Sequence, residues 1–300
     1  MYKAYFFYNQ DRCSIFLLLM YNRIDIFLER NTIVANLVYD RFKNRVTDKR
    51  QKNLHIFGSS SSGNSIYFKD VRILIDLGFP YKTYVTYDPT FFLDVDYVML
   101  THEHVDHLKP ATLFRLLKLY PSIKIIVPPN MWQDMLAPNF AKRINQQELV
   151  KYASHFYYSS PMLLTNRRGM KIKYIPHVTA HGPITNCAIE LIYNNQHVMY
   201  ASDLDEFNAN PERRTQGLPM DSSNPFDILC LEANYDPNIL YNYIKNHPDD
   251  YRASENFRHT DEKTAWNYVE KYLKSNGIFV PLHASHTFGT LWQDLDGSFN

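Results

Sequence analysis

From Leu54 onward, short apolar runs alternate with longer stretches whose apolar residues recur at helical spacing. Residues 54–57 (Leu-His-Ile-Phe) and 71–76 (Val-Arg-Ile-Leu-Ile-Asp) read as strands around a Ser/Gly loop. Residues 97–100 and 123–127 read as two more strands, with a helix over 110–120 between them. Residues 130–152 read as helical with a break at Pro138, whose ring lacks an amide proton and clashes with the preceding turn. A second group of strands covers 170–175, 188–193 and 197–201, and another strand covers 227–232. A helix over 238–245 has Asp236 as its cap and Pro237 in its first turn, where proline suits best. A last helix over 262–274 is approached through Thr260-Asp261, which supplies a cap, and residues 277–280 lead to His283 as a final strand. Strands in two groups with interspersed helices predict two sheets packed together with helices outside, a fold of the α/β class. Loops at one edge of such a sandwich gather side chains from distant parts of the chain.

Residues 1–53 differ from the rest. They are aromatic and apolar at first, then basic through Arg41, Lys43, Arg45, Lys49, Arg50 and Lys52, and no glycine precedes Gly58. Three explanations compete: an accessory helical arm that touches nucleic acid, a docking segment for a protein partner, or translated sequence upstream of the true start. The abrupt change at Leu54 favours the last. The expected division is an N-terminal extension over 1–53 and one large domain over 54–300.

Composition narrows the class. With 300 residues, 45% hydrophobic and 15% aromatic, the chain can bury a sizeable core. A net charge of +1 gives no global field to announce a nucleic-acid binder, although a local groove can be basic on a neutral protein. Cys13, Cys187 and Cys230 are scattered and odd in number, which predicts no disulfide framework and suits a reducing cytoplasm. The early apolar run 15–21 is too short to span a bilayer and lacks a signal-peptide cleavage pattern. A soluble, cytoplasmic protein without membrane contact is expected.

The chemistry concentrates in Thr101-His102-Glu103-His104-Val105-Asp106-His107, an H-x-H-x-D-H run directly after a buried-strand pattern. Imidazole nitrogen and carboxylate oxygen are ligands that zinc, manganese and iron accept. His102 and His104 can converge on one ion, and Asp106 and His107 can turn toward a second. The competing reading is a polar loop of solvated histidines.

Further motifs extend this one. A Gly58-Ser-Ser-Ser-Ser-Gly-Asn64-Ser65 loop allows a tight connection close to a site. The strand 73–75 ends in Asp76, which as a plain feature would cap a turn. His181 in Ala180-His-Gly-Pro183 precedes a strand, with His177 as a nearby competitor. Asp203 ends the strand 199–202, with Asp205 as the alternative, and His283 ends the last strand, with His286 as the alternative. Over residues 54–290 this order of motifs resembles the metallo-β-lactamase-fold hydrolases, and within them most resembles the YycJ/WalJ-type group of exonuclease-related proteins.

The resemblance implies an αββα sandwich of two mixed sheets flanked by helices, holding two divalent metal ions, Zn2+ or Mn2+. It implies His102, His104 and His181 on one ion, Asp106, His107 and His283 on the other, and Asp203 as a bridge. It implies support from Asp76 and Asn64 behind the metal loop. Two cations lower the pKa of a shared water, so hydroxide becomes available at neutral pH and no nucleophilic side chain is needed. Glu232-Ala-Asn234-Tyr235-Asp236 is similar to the group's E-x-N-H-D segment, but Tyr235 stands where a histidine is usual. Asp236 serves either that segment or the helix cap after it. His259-Thr260 resembles the group's helix start and is a candidate to meet a phosphate at free backbone N–H groups, the alternative being an ordinary cap with a surface histidine. Asp106, Asp203 and His259 are the candidate catalytic residues, with Asn234 and Thr260 supporting the site or the substrate. Arg167, Arg168, Lys171 and Lys173 either flank a polyanion groove or form a solvated hairpin tip.

The resemblance implies a DNA phosphodiesterase, an exonuclease directed at 5′ ends. A hydrolase of a small ester, thioester or cyclic nucleotide is the second reading, and a non-catalytic binding protein on the same fold is the third. The lack of a long insertion between Asp203 and His283 argues against RNA-processing relatives that carry an added domain there.

Overall fold

A computed structural model describes residues 53–291, apart from 129, 130, 132–134, 136–145, 159, 183, 251, 252, 254 and 255. The expectations for residues 1–52, for most of 129–145 with Pro138 and Trp132, and for Cys13, Pro183 and Trp292 therefore lie outside the described residues.

The first sheet holds six strands in chain order: β1 (Leu54–Ser60), β2 (Gly63–Phe68), β3 (Ile73–Ile75), β4 (Tyr97–Met99), β5 (Lys124–Val127) and β6 (Phe156–Tyr158). The first two pairings are antiparallel and the remaining three parallel. The second sheet runs β12-β11-β10-β9-β8-β7, built from β7 (Met162–Thr165), β8 (Lys171–His181), β9 (Ile184–Tyr193), β10 (Gln196–Ala201), β11 (Phe226–Glu232) and β12 (Leu273–Leu282). Here β7 to β10 are antiparallel and the β10–β11 and β11–β12 pairs parallel. Both sheets are mixed, as expected. Helices α1 (Tyr81–Tyr87), α2 (Pro110–Leu119), α3 (Gln146–Lys151), α4 (Pro237–Asn246) and α5 (Glu262–Tyr272) connect them.

Strand alternation divides the core into layers. Ile73 and Ile75 face a central layer with Ile66, Ile126, Tyr174, Leu191, Tyr200 and Val280, which come from both sheets. Leu74, Val98 and Ile125 point the other way, into a layer with Tyr84 of α1 and Leu113, Leu116 and Leu117 of α2. Helix α5 packs on β11 and β12 through buried Trp266, Val269 and Tyr272. The result is helix, sheet, sheet, helix.

Several boundaries differ from the sequence reading. The Ser/Gly segment is two strands joined by a turn, because β1 continues to Ser60 and β2 begins at Gly63. Strands β6 and β7 were not anticipated, being three and four residues long. The last helix stops at Tyr272 and hands over directly to β12, where a strand was expected only from Gly277. Both anticipated caps form: Asp236 accepts from the amides of Asn238 and Ile239, and Asp261 from that of Thr264. This places Asp236 with the helix. The basic turn of Arg167 and Arg168 is engaged at its base. Arg167 pairs with Asp96 and donates to the carbonyls of Leu93 and Val95, and Arg168 reaches Asp94 at 3.4 Å.

Candidate metal centre

The C-terminal ends of β4, β8, β10, β11 and β12 lie along one edge of the sandwich, and each delivers a polar side chain there. The loop after β4 is shaped by a turn in which the amides of His107 and Leu108 return to the carbonyl of His104 at 2.9 and 2.8 Å. Asp76, fully buried just past β3, holds the loop from behind. It accepts from the Thr101 amide (2.9 Å) and hydroxyl (3.0 Å), from the Tyr200 hydroxyl (3.2 Å), and faces Nδ1 of His107 at 2.7 Å. The Asn64 amide donates to the carbonyl of Asp106 at 2.7 Å, and its side-chain nitrogen lies 2.9 Å from Nε2 of His107. Gly78 has no substitute here, since a Cβ would overlap the Asp106 carbonyl and the Asn64 backbone. These two segments, distant in sequence, thus close on one another through backbone alone.

Donor atoms gather in groups whose members lie within 4.8 Å of one another. One group is His102, His104, His181 and Asp203; a second is Asp106, His107, Asp203 and His283. Asp203 is common to both. The grouping by geometry is the same as the division anticipated from the motifs. A third group, Asp203, Glu232, His259 and His283, was not anticipated. Of the competitors, His177 is 2.7 Å from Glu190, Asp205 binds Gly182 and Arg213, and His286 is exposed; none of them enters a donor group.

The contacts inside these groups fit divalent cations. Nε2 of His102 and Nδ1 of His104 are 3.0 Å apart, and Nε2 of His107 is 2.6 Å from Oδ2 of Asp203. Oδ1 of Asp203 is buried without a hydrogen-bond donor, although Nε2 of His283 lies 3.3 Å away. Nitrogen lone pairs facing one another and facing a carboxylate demand shared positive charge. Burial opposes the charge on Asp203, but His283, His107 and His102 outweigh it and hold the carboxyl well below its usual range. His102 is pushed well below the usual imidazole range by burial and by His107. Burial would also lower His107, but Asp203 and Asp76 overcome it and raise it well above that range. Three nitrogens with one oxygen in the first group, and two of each in the second, make a donor set suited to zinc or manganese.

Glu232 is the residue missed by sequence reasoning. Fully buried at the end of β11, it accepts from the Leu204 amide at 2.6 Å and faces Nδ1 of His259 at 2.6 Å. Its signal was present, an acid at a strand end two residues before Asn234, but it was read only as part of a segment. His259 stacks on His283 with ring centroids 4.8 Å apart, and its Nδ1 lies 3.5 Å from Asp203. Asn234 is turned inward onto the carbonyl of His283 at 2.6 Å. Thr260 is buried with its hydroxyl on the Leu204 carbonyl, so it braces the site from behind rather than meeting a phosphate. Tyr235 is buried, bridges Asp261 through backbone and meets the Phe257 ring edge-on at 6.1 Å.

The family model for the β-lactamase superfamily domain matches residues 72–266. The metallo-β-lactamase-fold protein YhfI from Bacillus subtilis shares 18% identity over 78% of this chain and 86% of its own, with a TM-score of 0.49. The short form of human tRNase Z shares 14% identity over 78% of this chain and 93% of its own, with a TM-score of 0.50. At such identities the likeness is one of fold. No curated protein matches the chain by sequence. Among the described residues, no helix is long and apolar enough to cross a membrane. Since the family match covers more than half of the chain, from β3 through the metal loop and the ends of β4, β8, β10 and β11 to the start of α5, the chain belongs to the β-lactamase superfamily, a family of metal-dependent hydrolases.

Proposed function

We propose that the protein is a metal-dependent phosphodiesterase acting on DNA, an exonuclease directed at 5′ ends and related to the YycJ/WalJ-type group. The observation that carries the hydrolytic reading is the pair of four-donor groups that share Asp203, one of whose buried oxygens lacks a donor. DNA as the substrate is supported by the ordered motifs from Asn64 to His283. In this reading His102, His104 and His181 hold one divalent ion, Asp106, His107 and His283 a second, and Asp203 both. The pair supplies a water activated at neutral pH and charge stabilisation for the oxygens of the phosphate.

The chain's own groups do the rest. Asp76 and Asn64 fix His107, so the donor positions precede binding. Asp106, whose side chain is partly exposed, accepts the proton given up by the attacking water. Glu232 accepts the Nδ1 proton of His259 in a hydrogen bond and aims Nε2 at the substrate, where a second ring proton carried on Nε2 would steady the phosphate or pass to the departing alkoxide. A cytoplasmic location belongs to the same proposal, supported by Cys187 and Cys230 being buried and unpaired.

The test is degradation of end-labelled single- and double-stranded DNA with added manganese or zinc, with His104→Ala alongside. Metal-dependent release of 5′ label that is lost in the variant is the expected result. A protein that carries two metals but leaves DNA intact would redirect the search to small esters, thioesters and cyclic nucleotides. A stable fold that takes up no metal would favour a binding role.

A further inference from the structure

We infer that Asp205 is a positioning residue for the His181 side of the metal centre, working through a strap formed by residues 204–218. The inference rests on the dinuclear reading above.

His181 occupies an exposed kind of place. It is the last residue of β8, paired with Ile184 across a tight hairpin whose next residue, Gly182, has φ +57°. Hairpin tips are ordinarily loose, whereas a metal donor must be held closely. On its other edge β8 is covered by β7 only over Lys171–Tyr174. Beyond that, the strap takes over. The amides of Gln216 and Gly217 donate to the Val178 carbonyl at 2.7 and 3.3 Å, the Val178 amide donates to Oε1 of Gln216 at 3.2 Å, and the Asp205 amide donates to the Ala180 carbonyl at 3.1 Å. The free edge of β8 is therefore occupied up to the residue before His181.

The Asp205 carboxylate then reaches past His181. Both of its oxygens lie 3.0 Å from the Gly182 amide, Oδ2 accepts from Nη1 of Arg213 at 2.7 Å, and Oδ1 faces Nδ1 of His181 at 3.6 Å. Arg213 closes the clamp by donating to the Gly182 carbonyl. Both polar groups of the Gly182 peptide are thus held by the strap. A carboxylate beside Nδ1 favours the tautomer with its proton there and leaves the Nε2 lone pair for a cation, the arrangement that partner groups impose on metal-bound imidazoles. The strap follows directly on Asp203, so the shared carboxylate and the histidine across from it are tied to one segment.

The experiment is a competitive chelator titration with zinc on the full chain, read as two successive affinities, with Asp205→Ala and Arg213→Met. Asp205→Ala is expected to weaken one affinity by about 10- to 100-fold and leave the other near wild type, in line with the loss of outer partners of metal ligands. Arg213→Met is expected to weaken the same affinity by less. Two wild-type affinities in Asp205→Ala, or both falling together with the melting temperature, would overturn the inference and leave the dinuclear reading standing. Absence of zinc binding by the wild-type chain would overturn that reading and this inference with it. Should Asp205→Ala fail to fold, Arg213→Met decides: a selective loss supports the clamp, and unchanged affinities overturn it.

Discussion

Two clusters of histidine and acid, one on the second sheet and one at the edge where both sheets deliver side chains, differ in how their carboxylates are satisfied. In the middle of the sheet, Glu190 of β9 sits between His177 of β8 and His197 of β10, with one imidazole nitrogen on each oxygen at 2.7 and 2.8 Å. At the strand ends, six imidazoles gather around Asp203, Asp106 and Glu232, nitrogens face nitrogens, and one oxygen of Asp203 has no donor. The first cluster meets the needs of its carboxylate from within. The second does not, and it costs free energy until positive charge arrives. Imidazole and carboxylate build both; what separates a cross-strand brace from a metal centre is whether each carboxylate oxygen has an imidazole of its own.

The sharpest way to break this contrast is to make one chemical change in both clusters. Asp203→Asn is expected to lower turnover about 10³-fold or more and to remove bound metal, as read by assay and by mass spectrometry of the native protein. Glu190→Gln should leave both within about twofold, because distant, independent sites seldom couple. Comparable losses in the two variants would erase the distinction.

Metal removal comes next. At a hundredfold excess over Kd, a cation should stabilise the fold by about 3 kcal/mol, visible as a rise in melting temperature reversed by chelation. Glu190→Gln should keep that rise and Asp203→Asn should lose it.

The saturated cluster has its own signature in acid. Burial works against the charge on Glu190, but hydrogen bonds from His177 and His197 outweigh it and bring its pKa from 4.5 to about 2. A depressed folded pKa stabilises the fold above the unfolded value, and that stabilisation fades as pH falls from about 4.5 to about 2. The share at stake is on the order of 3 kcal/mol, since each pKa unit is worth about 1.4 kcal/mol and Glu190 is only 7% exposed. Glu190→Ala should lose about that much at pH 7 and flatten the acid limb of the stability curve, with metal content unchanged. A variant that keeps the wild-type acid limb would show that the brace contributes little.

The smallest effect is expected between the sheets. The Tyr200 hydroxyl crosses from β10 to Asp76 behind the metal loop, so Tyr200→Phe should cost about 1 kcal/mol by denaturant titration and weaken metal binding slightly.

What sequence reading reached, and what it did not, follows from the same contrast. His102 to His107 are legible because four candidate ligands stand in one loop, and the strand before them is plainly apolar. Asp203 and His283 are legible because each is a single polar residue closing an apolar run. Glu232 closes such a run too, but its role depends on His259, reached only when α5 brings its own start back against β11. Glu190, His177 and His197 carry no local pattern at all; strand register alone makes them neighbours. Strands β6 and β7 escaped although β3 and β4 are no longer, because those two are central strands inside continuous apolar runs whereas β6 and β7 lie at the edges of their sheets, with only Leu164 of β7 buried. The capping acids Asp236 and Asp261 were readable because a cap is a contact between sequence neighbours.

Three of the residues at this edge, Asp76, Asp203 and His283, hold backbone φ of 62°, 55° and 50°, the left-handed region that aspartate and histidine enter more readily than most side chains but still at a cost of about 1 kcal/mol. They also bring buried charge together. Glycine at Asp203 would free the backbone but strip His102, His107 and His283 of the carboxylate between them, so a metal-free Asp203→Gly chain should melt below the metal-free wild type in spite of its easier φ. The strained strand end is thus kept by the fold as well as by the metal centre.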